Sequence, residues 1–148
     1  MLSQLLAHAD DDPQTAALAR SGGEAFVSQS LRPFLTAALL ESDPTRRPAI
    51  VVAGDDRAAR ELAAALRAWL APRPVRYYPS RGVNYESHLV PPPHLVGLRI
   101  AALDALLDES GPPAVVVVSA VALSEKVPDP SLRPTSFCLR VGDLVDLD

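Results

Sequence analysis

The chain has 148 residues, 48% of them hydrophobic, and a formal net charge of −4. This length suits one domain with a core of its own, and the acidic balance argues against a nucleic-acid surface, whose basic residues would be denser and in excess. No run approaches the 18 or so apolar residues of a membrane span.

The opening "MLSQLLAHADDDPQTAALAR" is acidic in its middle and lacks a basic start, so it reads as short helices and not as a secretory signal. Pro13 suits the first turn of a helix that begins after Asp12. Residues 1–23 are expected to form a helical extension that ends at "SGG". A short strand is expected over Glu24–Ser28, and a helix from about Leu31 to Glu41. "SDPTRRP" is a turn-rich connection.

"AIVVAG" is a continuous β-branched run, the pattern of a parallel strand buried on both faces. Asp55 is placed to cap the helix that follows, and Asp56 in its first turn suits the helix dipole. In that helix Leu62, Leu66, Trp69 and Leu70 make one apolar stripe, while Arg57, Arg60 and Arg67 alternate with acids on a solvated face. "VRYYP" reads as a third strand and "SRGVNYESHLVPPP" as a loop. Leu95, Leu98, Ala102 and Leu106 are expected on the buried face of the next helix. "AVVVVS" is a second run of the doubly buried type, with a short helix in "AVALSEKV" after it. "SFCLRVG" is a last strand of a different kind, and the chain ends on "DLVDLD". Strands alternating with helices predict an α/β fold with a doubly wound, mainly parallel sheet, both β-branched runs being central strands.

Ligands of such sheets approach the carboxyl ends of the strands, which makes the turn "VSQSLRPF" chemically privileged. A phosphate loop needs glycines so that backbone N–H groups converge on the anion, a lysine for the β/γ oxygens and a hydroxyl for Mg²⁺. Ser28 and Ser30 supply hydroxyls and Arg32 a charge, but there is no glycine or lysine, and Pro33 has no N–H. Each charge-assisted hydrogen bond is worth about 1.5–3 kcal/mol, so losing two or three removes roughly two to five decades of affinity. Ser28, Ser30 and Arg32 therefore mark a degenerate phosphate-loop position.

Other candidates are weaker. Glu86, His88 and His94 match no standard zinc spacing. Tyr77, Tyr78 and Tyr85 are explained by packing and loop anchoring. Ser119 lacks the G-x-S-x-G elbow and reads as a helix cap. Cys138, the lone cysteine, excludes an internal disulfide and reads as a buried, inert thiol in a reducing, cytoplasmic setting. No catalytic residue and no metal ligand is expected.

Four segments together resemble a known family. "AIVVAGDDRAARELAAALRAWL", "YYPSRGVNYESHLVPPPHLVGLRIAALDAL", "AVVVVSAVALSEKVPDP" and "SFCLRVGDLVDLD" are similar, in order and spacing, to the fold of the Uvr excinuclease B subunit, over about residues 24–148. That subunit keeps an intact phosphate loop at the position of Ser28–Pro33 and carries a long hairpin after its tyrosine-rich strand. This chain has neither, which resembles the N-terminal region of the bacterial transcription-repair coupling factors, the Mfd family. The resemblance implies a helicase-like α/β domain over 24–135 with a degenerate loop, and a strand that begins an inserted, truncated module over 136–148. It implies a non-catalytic structural and interaction domain within an ATP-driven DNA translocase that displaces stalled RNA polymerase and recruits nucleotide excision repair. ATP and Mg²⁺ would belong to motor domains elsewhere in the parent. The Uvr excinuclease A subunit would dock on the inserted module, and RNA polymerase and DNA on other parts. The alternative is a nucleotide-binding domain of an excinuclease-B-type repair helicase.

Overall fold

Three β-branched or aromatic runs form the strands Ala49–Ala53 (β1), Val75–Tyr78 (β2) and Val115–Ser119 (β3) of a computed structural model of the chain. The structure describes residues 2–43, 45, 47–83, 88–127, 129, 131 and 141–142. Tyr85, Glu86, Cys138 and the strand expected from Phe137 lie outside the described residues, as does all but Val141 and Gly142 of the module expected over 136–148.

The strands pair in parallel in the order β1-β3-β2, with Val117 opposite both Val51 and Tyr77. Helices Ala7–Asp10 (α1), Pro13–Ser21 (α2), Arg32–Glu41 (α3), Asp56–Leu70 (α4), Pro93–Leu107 (α5) and Ala120–Ser124 (α6) surround the sheet, preceded by a 3-10 turn at Leu2–Leu6. This is an α/β arrangement around a small, open, parallel sheet.

Side chains alternate across a strand, so the sheet has two faces with separate cores. Val51, Val75, Val115 and Val117 face α3 and α4, where Leu66 and Leu70 are buried and Leu62 and Trp69 partly so. The stripe expected on α4 is thus the one it buries. Trp69 meets Phe34 of α3 edge to face, with ring centroids 5.3 Å apart. Leu6 and Ala9 of the N-terminal turns belong to this same core. On the other face Tyr78, Val116 and Val118 pack with Ala102 of α5 and Ala122 of α6.

The caps follow local chemistry. The Asp12 carboxylate accepts from the Thr15 N–H at 3.0 Å, Asp55 from the Ala58 N–H at 2.7 Å, and the Ser119 Oγ from the Ala122 N–H at 3.1 Å. Each satisfies a donor that a helix start leaves without an intrahelical partner.

Three expectations need correction. β3 is central and buried along its whole length, but among the described strands β1 lies at the edge: Ile50 is 56% and Val52 51% exposed, whereas Val116 and Val118 are 3% and 2%. A β-branched run reads the same whether one or two neighbours flank it; the crossover of α4 carries the chain past β3 to its far side and leaves β1 outermost. Glu24–Ser28 is not a strand. No described strand pairs with it, and Phe26 is fully exposed; without a ladder to join, alternating side chains give no sheet. On α5, Leu98 is 41% exposed and the buried face runs through Ala102, Leu103 and Leu106. That helix is apolar nearly all round, so its periodicity does not orient it.

Candidate functional site

The turn before α3 holds the residues expected at a degenerate phosphate-loop position. The Leu31 N–H donates to the Ser28 carbonyl at 3.0 Å, and Arg32 and Pro33 open the helix. With the Leu31 N–H committed and Pro33 lacking one, at most Arg32 and Phe34 in the first turn have an N–H to offer an anion. Ser28 and Ser30 are exposed, and their hydroxyls lie 3.2 Å from each other. The left-handed glycines of the chain are Gly22, Gly23, Gly82 and Gly142, none of them in this turn. The structure thus places Ser28, Ser30 and Arg32 together but builds no converging set of donors from them.

Beside the turn lies an open cleft of about 640 Å³, walled in part by Phe26, Val27, Leu35, Val52 and Leu62, with Arg32 and Glu61 as its charged residues. It has the volume of a small-ligand cleft. Its described lining is mainly apolar and carries charges of both signs, a poor match to a triphosphate.

The carboxyl ends of the three described strands are held by two polar clusters. In the first, the carboxylate of Asp56 accepts from the Ser119 Oγ at 2.7 Å, from the Ser80 N–H at 3.2 Å and from the Ser80 Oγ. The Tyr77 hydroxyl donates to the Asp56 carbonyl at 3.1 Å. Burial pushes the Asp56 carboxyl up and is the largest single influence, but the hydrogen bonds from Ser80 and Ser119 together outweigh it and hold the group below the usual aspartate value. In the second cluster, Arg99 of α5 donates to the Glu125 carboxylate at 2.5 Å and to the Pro79 carbonyl at 2.8 Å, with its guanidinium 4.2 Å from the centre of the Tyr78 ring. Glu125 also accepts from the Arg81 N–H at 3.0 Å. Burial raises the Tyr78 phenol above its ordinary value.

The first cluster is closed on itself, whereas in the second the buried Tyr78 hydroxyl has no hydrogen-bond partner among the described residues. Ser119 is fully buried, and its Oγ accepts from Ala122 while donating to Asp56, which removes it as a nucleophile. His88 and His94 are exposed, and no group of three metal-binding side chains occurs among the described residues. Sequence reasoning missed Asp56, assigned only to the helix dipole, and missed Arg99 and Glu125 altogether. A carboxylate directly after a capping aspartate was the one available signal.

The chain matches no known family model, and no curated protein or solved structure proves similar to it.

Proposed function

We propose that the chain is a non-catalytic structural and interaction module, the N-terminal α/β portion of a bacterial transcription-repair coupling factor. The observation that carries the proposal is the turn at residues 28–33: it leads into a helix, as a phosphate loop does, and lacks the donors of one. The order and spacing of the four resembling segments support the family, and the parallel sheet is compatible with a helicase-like domain whose loop has degenerated.

In this reading the parent is a cytoplasmic, ATP-driven DNA translocase that displaces stalled RNA polymerase. Its ATP and Mg²⁺ sites lie in motor domains elsewhere in the parent, and the Uvr excinuclease A subunit docks on the module that begins near Phe137. The chain described here supplies a scaffold.

Calorimetric titration with Mg·ATP tests the non-catalytic reading. The expected dissociation constant is no tighter than about millimolar, given the missing charge-assisted bonds. A low-micromolar constant would favour the excinuclease-B-type nucleotide-binding domain instead. The family reading has its own test: a chain extended until the inserted module closes should capture the Uvr excinuclease A subunit in a pull-down, whereas residues 1–148 should not. Equal capture by both would place the docking surface within these residues.

A further inference from the structure

Open parallel sheets take their ligands in the crevice between neighbouring strands whose continuations leave on opposite faces. Here β1 continues into α4 on one face and its neighbour β3 into α6 on the other, so the crevice lies between the ends of these two strands. Its lining is built to receive an anion. The Ser119 Oγ from β3, and the Ser80 Oγ and N–H from just beyond β2, are three donors that converge on one carboxylate-sized position, the Ser119 Oγ and the Ser80 N–H at one oxygen and the Ser80 Oγ at the other. Ser119 is fully buried, and its rotamer is held because its oxygen also caps α6. At that point sits the carboxylate of Asp56, the first residue of α4, whose carbonyl is held by the Tyr77 hydroxyl.

We propose that this crevice is a binding site for a small carboxylate and that its resident ligand is the chain's own Asp56. The site is self-ligated: the side chain supplies the charge that an exogenous anion would bring, and its tether keeps competitors out. The place where this fold accepts ligands is therefore closed by a covalently attached one. The inference is independent of the family reading, since it concerns Asp56, Ser80 and Ser119 and not the turn at Ser28–Arg32.

Removing the tethered ligand should open the site. The Asp56→Ala variant should melt below the unaltered protein and be rescued by sodium formate. At a formate concentration about ten times its dissociation constant, Tm should rise by about 3–6 °C over sodium chloride of equal ionic strength. The rise should saturate, and it should be missing from the unaltered chain and from Asp56→Asn, whose side chain still fills the space. A formate response of Asp56→Ala no larger than the chloride response overturns the proposal, as does an equal response of the unaltered chain. Should Asp56→Ala fail to fold, the unaltered chain carries the test. By NMR, the hydroxyl protons of Ser80 and Ser119 should exchange with water far more slowly than that of the exposed Ser28. Equal exchange rates would show that the donors are not bound to the carboxylate, and the proposal would fall.

Discussion

The Nε of Arg73 donates to the Pro113 carbonyl oxygen at 2.8 Å and so joins the entrances of β2 and β3. The same guanidinium donates to the carbonyls of Arg47 at 2.8 Å and Leu40 at 3.1 Å, and to the Glu41 carboxylate at 3.2 Å. Arg73 is only 8% exposed. One side chain thus ties the end of α3 to the starts of all three strands, and five rigid donors in one plane suit that task better than a lysine would.

Arg73→Met should therefore cost about 3–5 kcal/mol, the scale of breaking a buried ion pair from one side. Arg73→Lys should recover only part of the loss. Urea unfolding is the check: the midpoint should fall while the slope stays unchanged. A loss below about 1 kcal/mol would show that water replaces the guanidinium at little cost.

The Asp56 carboxyl is held below its unfolded value, so its contribution is present above about pH 4 and fades as pH falls through the folded value. The sign follows because the unfolded chain takes up the proton first on acidification. Asp12, Asp43 and Asp108 are also lowered, chiefly by hydrogen bonds from the hydroxyls of Thr15, Thr45 and Ser110. These three are common to wild type and Asp56→Asn and cancel in a comparison. The stability difference between the two proteins should be level from pH 7 to about pH 5 and shrink below about pH 4. A difference that grows on acidification would contradict the hydrogen-bonded carboxylate.

The two β-branched strands should respond very differently to substitution. Val117 is fully buried between Val51 and Tyr77, and Val117→Ala should cost about 2 kcal/mol through lost burial and a cavity. Ile50→Thr and Val52→Thr sit on the exposed face of the edge strand and should stay within about 0.5 kcal/mol of wild type. Denaturant melts of the three variants test the strand order directly.

Trp69 is the single tryptophan, so its fluorescence reports the packing of α3 on α4. Phe34→Leu keeps an apolar side chain but loses the edge-to-face contact, worth about 0.5–1.5 kcal/mol beyond area. The expected outcome is a red-shifted native emission and a loss of that size. An unchanged spectrum would mean that the indole is shielded by other neighbours.

What the sequence by itself determined is the set of local relationships. Asp12, Asp55 and Ser119 cap helices three residues onward, and the α4 stripe repeats at helical spacing. Such contacts depend on backbone geometry within one turn, which residue type and spacing specify. The lack of glycine in the turn at 28–33 and of an N–H on Pro33 is of the same kind, because both are properties of the residues themselves.

Only the tertiary structure decided that β1 lies at the edge, that Glu24–Ser28 pairs with no described strand, and that Arg73 is buried. It alone brought Asp56 to Ser119, 63 positions away. Strand order depends on where each crossover returns, and a β-branched run has the same composition in the centre of a sheet as at its margin. A polar side chain has the same letter in solvent as in a crevice; its partners exist only once the strand ends have been brought together.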